Sequence, residues 1–196
     1  MAVLTCDAHS GAGVKQFSPV MRGALKEQIA KWREKGQVGR PVRAMVVGIP
    51  NVGKSTFINK VAHRKTARAE DRPGVTRSKQ WVPVDPTLEL LDTPGVHKAH
   101  NKLGKRMDKT ASDSIADVDV SMMLFEPYGA LIESEMVLVD MLRSSGGPAI
   151  AVINKTDLVK EPADLEARKE ELKALGVFDE IYTCLLYTSP SPRDMR

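Results

Sequence analysis

The residues best suited to chemistry form a glycine-containing loop in the first third of the chain. Gly48 to Ser55 spell Gly-Ile-Pro-Asn-Val-Gly-Lys-Ser, the spacing of a phosphate-binding loop between a strand and a helix. The glycines allow the backbone to wrap phosphates, helix amides face their charge, and Lys54 supplies a point charge to the β and γ phosphates. A chance match in a glycine-containing turn is the alternative. The predicted phosphate-binding residues are Gly48, Asn51, Val52, Gly53, Lys54, Ser55 and Thr56.

Two further motifs provide what a metal ion and a γ phosphate require. Asp92-Thr93-Pro94-Gly95 closes a predicted strand, and we expect Asp92 to reach Mg²⁺ through water while the Gly95 amide bonds the γ phosphate. Between the two loops, Thr76 ends Pro-Gly-Val-Thr in a polar stretch, so it is predicted to close over the metal when the γ phosphate is present. The predicted Mg²⁺ ligands are Ser55, Thr76 and Asp92. The groups expected to act in catalysis are Lys54, Thr76 and Gly95.

The tetrapeptide Asn154-Lys155-Thr156-Asp157 favours guanine over adenine. It follows an apolar run that ends at Ile153. The Asp157 carboxylate can accept the ring N–H and the exocyclic amine of guanine, and a site of this kind can discriminate by a factor on the order of 10⁴. Asn154 and Lys155 are expected to brace the loop and cover the base. A polar surface turn is the alternative interpretation.

The position after Gly95 holds Val96, where many small GTPases place a water-orienting glutamine. Because valine cannot hydrogen-bond water, slow intrinsic hydrolysis is expected. Asn51 offers an oxygen beside the phosphates, in a placement that resembles GTPases using K⁺ as a substitute for an arginine finger. K⁺ at Asn51 is therefore a second metal prediction.

Composition is that of one soluble domain. The 196 residues are 42% hydrophobic and 28% charged, and the longest apolar runs are too short to cross a bilayer. No signal peptide is recognisable and the two cysteines lack metal-ligand spacing, which predicts a cytoplasmic protein.

Six basic residues before the phosphate loop could meet RNA or form a solvated helix face. They are Lys26, Lys31, Arg33, Lys35, Arg40 and Arg43. Among the acidic residues, Asp119 and Glu126 are interpreted as solvated charges.

The elements that must position these motifs alternate along the chain. Periodicity predicts helices over residues 13–35, 54–62, 134–143 and 163–175, and strands over 42–47, 80–84, 88–91, 118–125 and 148–153. This order predicts an α/β fold of the P-loop NTPase G-domain class, with a mostly parallel sheet and helices on both faces.

Two families resemble different parts of the sequence. Up to about Gly95 it resembles the circularly permuted ribosome-assembly GTPases of the RbgA/YlqF type, through residues 43–59, Asp71 to Thr76, Gln80-Trp-Val and residues 88–95. In that family the guanine-reading loops precede the phosphate loop. Asp7 and Ala8 accordingly resemble a late base-contacting loop. From Val96 to about Thr183 the chain resembles the GTPase Era, through Asn101-Lys-Leu-Gly104, residues 117–119, 154–157 and 178–181.

The two resemblances meet at the shared Asp-Thr-Pro-Gly motif, which indicates a chimera, with a genuine hybrid protein as the alternative. Residues 184–196 resemble translated sequencing adapter and are expected to be disordered. We predict a G domain over residues 1–183. Residues 1–35 would supply the last strand and helix of a permuted domain, and residues 36–41 would be the linker. Two segments compete for the position beside the strand ending at Ile153, Ala2 to Cys6 and Glu180 to Leu185. We predict the first, because only it is followed by an amphipathic helix able to cover the sheet.

These resemblances imply a GTP-hydrolysing switch in ribosome assembly, with guanine nucleotide, Mg²⁺ and a ribosomal subunit or rRNA as partners. The RNA-binding appendices of both families are not recognisable in the sequence. Two other hypotheses stay open: a guanine-nucleotide-binding module without useful turnover, and a non-functional reading frame.

Overall fold

A computed structural model describes residues 5–7, 17–62, 80–93, 115 and 117–185. This part of the chain contains five α-helices and seven strands. The strands are β1 (Thr5–Asp7), β2 (Val42–Val47), β3 (Gln80–Asp85), β4 (Leu88–Asp92), β5 (Val120–Phe125), β6 (Ala149–Ile153) and β7 (Glu180–Leu185). The helices are α1 (Phe17–Ala24), α2 (Lys26–Glu34), α3 (Lys54–Val61), α4 (Glu133–Ser145) and α5 (Pro162–Ala174), and a short 3₁₀ helix covers Thr156–Leu158.

The strands form one sheet in the order β1-β7-β6-β5-β2-β4-β3. All described pairings are parallel except the β3–β4 hairpin, which is antiparallel. Because parallel strands end at the same edge, β2, β4, β5 and β6 deliver the residues that follow them to one side of the molecule. The predicted α/β class and P-loop G-domain architecture are confirmed.

Alternating side chains of the strands build a core on each face of the sheet. One core joins the β2 residues Val42, Ala44 and Val46 to α1, α2 and α3. The other joins Met45 and Val47 to α4 and α5. Burial on both faces explains the nearly continuous apolar runs of β2, β5 and β6, since a parallel strand covered twice has no polar side.

The N-terminal helices pack on the sheet, although not as one unbroken helix. Residues 13–35 were predicted as a single helix, whereas α1 and α2 are separate and meet at Leu25. The apolar spacing survives the break, since Phe17, Met21 and Leu25 are all buried. Phe17 meets Phe57 of α3 edge to face, with ring centroids 5.4 Å apart. The break is confined to Leu25, whose φ of −102° and ψ of 18° depart from helical values.

The prediction for the strand beside β6 is wrong. Ala2 to Cys6 was assigned to that position, but β7 occupies it, with Ile150 opposite Glu180, and β1 lies outside β7. Local geometry favours β7, because Asp179 exchanges two hydrogen bonds with Ala149, at 2.8 Å and 2.9 Å. A strand that directly follows α5 also completes the short right-handed crossover from β6.

The predicted start of the disordered segment, residue 184, is too early in the chain. Cys184 is buried and Leu185 is the last residue of β7, so residues 184 and 185 are ordered strand. Their pairing with Cys6 and Asp7 of β1 outweighs the polar composition that follows. Residues 186–196 lie outside the described part of the chain.

Candidate nucleotide-binding site

The phosphate loop follows β2 and opens α3, the arrangement that its sequence predicted. Its two glycines have little room for a side chain. A Cβ on Gly48 would lie 2.9 Å from the Leu124 carbonyl oxygen, and one on Gly53 would lie 2.5 Å from Asn154 Nδ2. Gly53 also has a left-handed φ of 97°, which glycine adopts without strain. Gly53 thus allows the Asn154-to-Asp157 loop, named the guanine loop below after its predicted ligand, to approach the start of α3.

Lys54 is buried at the first turn of α3. Its ammonium donates to the carbonyl oxygens of Gly48 and Ile49, at 3.0 Å and 2.8 Å. Burial lowers the pKa of Lys54 to about 8, and the nearby Asp92 carboxylate only partly opposes this shift. The positive charge is therefore held at a cost in a place where bound phosphates would stabilise it.

The depressed pKa leads to a prediction about proton uptake. Phosphates favour the charged form of Lys54, so GDP binding at about pH 8.5 should take up most of one proton, and apparent affinity should fall about 4-fold from pH 7. Titration calorimetry in two buffers of different ionisation enthalpy measures this uptake. Near pH 7 Lys54 is already charged in the free protein, which provides the control. Equal heats in both buffers at the higher pH would contradict the prediction.

Two of the three residues assigned to Mg²⁺, Ser55 and Asp92, meet where α3 begins and β4 ends. Ser55 Oγ donates to Asp92 Oδ2 at 3.1 Å, and Asp92 is buried. Hydroxyl and carboxylate oxygens are the donors that Mg²⁺ prefers, so this pair fits the ion. Beside Asp92, buried Thr93 donates to the Val46 carbonyl oxygen at 2.7 Å and fixes the end of β4 against β2.

The guanine loop follows β6 and contacts the phosphate loop directly. Asn154 is buried, and its Nδ2 donates to the Val52 carbonyl oxygen at 2.8 Å. Its backbone amide donates to the Phe125 carbonyl oxygen at the end of β5, also at 2.8 Å. Asn154 therefore connects the ends of two neighbouring strands to the phosphate loop.

Lys155 makes a second connection, from a left-handed backbone with φ of 57°. Its ammonium donates to the Asn51 carbonyl oxygen at 2.9 Å and to Glu126 Oε1 at 2.8 Å. Asn51 has the same strained backbone region, with φ of 61°, which asparagine tolerates better than most residues. Two side-chain hydrogen bonds thus join the two loops across a hundred residues of sequence.

Asp157 lies in the 3₁₀ helix that follows Lys155. Its Oδ1 is buried and has no hydrogen-bond partner among the residues that the structure describes. A buried acceptor of this kind is costly unless a donor meets it, which is what a guanine edge provides. The preceding Thr156 donates to the Cys184 carbonyl oxygen at 3.1 Å, so β7 supports the same loop.

Several predicted site residues lie outside the described part of the chain: Ala8, Thr76, Pro94 and Gly95. The backbone of Asp7 lies at the end of β1. The predicted permuted arrangement requires β1 to be next to β6, but β7 lies between these two strands. Val52 is buried and Thr56 is half-buried on α3.

Two residues of this region were missed from the sequence. Glu126 pairs with Lys155, and Arg168 of α5 donates to the carbonyl oxygens of Glu126 and Gly129, at 3.2 Å and 3.1 Å. The interpretation of Glu126 as a solvated charge is wrong, because its carboxylate pairs with Lys155. The same interpretation is wrong for Asp119, whose carboxylate accepts a hydrogen bond from Arg40 at 2.9 Å. The one available signal for Glu126 was its position directly after a buried strand.

The fold and this loop arrangement define a G domain of the P-loop GTPase class. The model of the family described as 50S ribosome-binding GTPase matches residues 43–155, more than half of the chain. The chain therefore belongs to that family.

Known proteins agree with this assignment. The chain is 38% identical to ribosome biogenesis GTPase A of Bacillus licheniformis over 181 residues, 91% of this chain and 56% of that protein. It is 51% identical to the Priestia megaterium protein of the same name over 94 residues, 47% of this chain and 33% of that protein. The crystal structure of Aquifex aeolicus Era bound to GDP and AlF₄⁻ matches with a TM-score of 0.63 and 26% identity, over 73% of this chain and 50% of that one.

The chain spans about half the length of the curated relatives it matches, or less. The family and the fold therefore apply to this chain, whereas the activity and partners of the longer proteins come to it only as proposals. Among the helices in the described ranges, none has the length and apolar content that a membrane span requires.

Proposed function

We propose that this chain binds GTP and GDP with Mg²⁺ and hydrolyses GTP slowly, as a switch in ribosome assembly. The observation that supports this most is the pair of hydrogen bonds from Asn154 to Val52 and from Lys155 to Asn51. These bonds hold the loop that bears Asp157 against the loop that bears Lys54. One nucleotide can then place its base on the first loop and its phosphates on the second.

The chain's own residues would divide the work. Lys54 and the amides at the start of α3 would bind the phosphates, and Ser55 and Asp92 would hold Mg²⁺, which neutralises charge on the β and γ phosphates when bound. Asp157 would accept from the guanine edge. Thr76 and the Gly95 amide are proposed to sense the γ phosphate.

Val96 cannot orient the attacking water, because its side chain offers no hydrogen bond. We infer that K⁺ beside Asn51 assists the reaction. Turnover should therefore be faster in KCl than in NaCl at equal ionic strength. Equal rates in the two salts would refute the role of K⁺ and leave nucleotide binding unaffected.

Calorimetry with GTP, GDP and ATP tests the core of the proposal. Micromolar or tighter guanine nucleotide binding that requires Mg²⁺, with ATP at least about 100-fold weaker, is the expected result. Comparable affinity for ATP and GTP would overturn it.

Asp157→Asn provides a sharper test of base recognition. The amide cannot accept from both donors of guanine, so GTP affinity should fall about 100-fold or more, while xanthosine triphosphate should bind better than to the parent protein. Competition binding with the two nucleotides measures both effects. Asp164→Asn is the matched control, because Asp164 is exposed in the first turn of α5. Unchanged GTP affinity in Asp157→Asn would defeat the guanine assignment.

The second candidate is a guanine-nucleotide-binding module without useful turnover, and Val96 is the residue that favours it. Single-turnover GTP hydrolysis with and without ribosomal subunits separates the two functions. Stimulation by one subunit would also identify the ribosomal partner. The relatives' name, ribosome biogenesis GTPase A, supports this choice of partner. A cytoplasmic location is part of the same proposal.

We further infer that the chain joins two GTPase sequences at the Asp-Thr-Pro-Gly motif, and that α1 and α2 serve as the closing helix of a permuted domain. The packing of both helices in the sheet core supports their role as closing helices. Recovery of a different sequence after residue 95 from independently cloned DNA would show the join to be artificial. Recovery of the same junction would favour a natural hybrid.

A further inference from the structure

Glu126 is placed to act on guanine recognition without touching the nucleotide. It directly follows β5, and its carboxylate accepts from Lys155 Nζ at 2.8 Å. The same ammonium donates to the Asn51 carbonyl oxygen at 2.9 Å. A single cation therefore joins three segments: the guanine loop, the phosphate loop and the end of β5.

The anchor on the β5 side is fixed by its backbone. The Glu126 carbonyl oxygen accepts from Arg168 Nε at 3.2 Å, and the neighbouring Phe125 carbonyl oxygen accepts from the Asn154 amide at 2.8 Å. Arg168 is itself buried and held by Gly129 and Glu171. The Glu126 carboxylate thus extends from a position that cannot drift relative to the guanine loop.

The Lys155 side chain, in contrast, needs a partner outside its own loop to hold it in one orientation. It begins from the left-handed backbone that precedes the 3₁₀ helix of Asp157. With only the Asn51 contact, its long side chain could rotate about that oxygen or turn towards bound phosphates. The Glu126 carboxylate opposes both movements because its oxygen accepts the Lys155 hydrogen bond at a fixed point. The pair is partly sheltered, with 17% of the Lys155 side chain and 37% of the Glu126 side chain exposed.

We propose that Glu126 is a positioning residue for guanine specificity: by holding Lys155, it fixes the loop that aims Asp157 at the base. This inference rests on the proposed function, since it presumes that Asp157 meets guanine. The phosphate contacts of Lys54 and Ser55 come from α3 and do not depend on Glu126. Loss of Glu126 should therefore weaken GDP and spare ADP.

The test compares GDP and ADP affinities, with Mg²⁺, for the full chain and three variants. Glu126→Ala should lower the ratio of GDP to ADP affinity about 5-fold, and Glu126→Gln, which keeps an oxygen at the same reach, should stay within about 2-fold of the parent. Glu166→Ala is the matched control, because it removes a carboxylate from an exposed ion pair with Lys169 on α5. Thermal unfolding without nucleotide is measured for every variant.

Each outcome of this comparison either supports the positioning role or overturns it. A lower ratio in Glu126→Ala, with the nucleotide-free Tm unchanged and recovery in Glu126→Gln, supports the positioning role. Equal losses of GDP and ADP affinity with a lower Tm mean that Glu126 only stabilises the fold, and an unchanged ratio means that Lys155 does not need it; either result overturns the inference. A parent chain without guanine preference would refute the proposed function itself, before any variant is compared.

Discussion

Lys54→Met is expected to lose at least about 100-fold in GDP and GTP affinity while its nucleotide-free form is as stable as the parent or more stable. The variant keeps the length of the buried side chain and removes its charge. That charge is costly in the free protein, since burial lowers the pKa of Lys54 to about 8. We expect the free energy of unfolding at pH 7 to be unchanged or raised by up to about 2 kcal/mol, because the lost bonds to Gly48 and Ile49 offset part of the gain.

The pH dependence of unfolding distinguishes this explanation from a general packing effect. Lys54 has a lower pKa in the folded than in the unfolded chain, so between about pH 8 and 10.5 the unfolded chain binds more protons. The parent should therefore gain stability as pH rises through this window, and the advantage of Lys54→Met should shrink. Urea unfolding at several pH values measures both trends.

Lys60→Met is the matched control for this comparison. It removes a lysine from the exposed last turn of the same helix and should change neither nucleotide affinity nor the pH trend. If Lys54→Met still binds GDP within about 10-fold of the parent, the phosphate loop does not depend on its lysine charge. A loss of more than about 2 kcal/mol in its stability would show that the ammonium supports the fold.

Local sequence sufficed for those parts of the fold in which neighbouring residues decide the structure. The apolar run of residues 42–47, the glycines around the phosphate loop and the helix from Lys54 each carry their signal within a few positions. The strand ends then follow from parallel order alone. For this reason the contact between the guanine and phosphate loops was predictable in outline, although their hydrogen bonds were not.

The edge of the sheet could not be predicted because two segments carry the same local pattern. Thr5 and Cys6 of β1 lie opposite Thr183 and Cys184 of β7, so the two strands match residue for residue at their junction. The choice between them depends on contacts distant in sequence, chiefly the Asp179 pairing with Ala149 and the bond from Thr156 to Cys184. No periodicity in either strand reports these contacts.

Buried charge was hidden from the sequence for a related reason. Arg168 belongs to a run of charged residues on α5 that includes exposed members such as Glu166 and Glu170. Only the packing of α5 on β5 shows that Arg168 is buried, 5.6 Å above the Phe125 ring and 3.9 Å from Glu135. The contribution of Arg168 to stability therefore depends on tertiary contacts, which a substitution can test.

Arg168→Met should lower the free energy of unfolding by about 3 kcal/mol or more, because it leaves the buried Glu135 carboxylate without its cation. Both side chains are almost fully buried, with 3% and 4% exposed. Burial already raises the pKa of Glu135, against the hydrogen bond from the Ile132 amide and the attraction of Arg168. Removing Arg168 should raise that pKa further. The folded variant then binds more protons than its unfolded chain above the ordinary glutamate pKa, so its deficit should grow as pH rises from about 5 to 7.

The double variant Arg168→Met with Glu135→Gln identifies the source of this deficit. Glutamine keeps an oxygen for the Ile132 amide, which donates to Glu135 Oε2 at 3.0 Å, and removes the uncompensated charge. We expect it to recover about half of the lost stability at pH 7 and to abolish the added pH dependence. Arg143→Met, which breaks an exposed pair with Asp140, should change stability by less than about 0.5 kcal/mol. If the double variant is no more stable than Arg168→Met, then Arg168 acts through its bonds to the Glu126 and Gly129 carbonyls. In that case the segment after β5, rather than α4, depends on this buried cation.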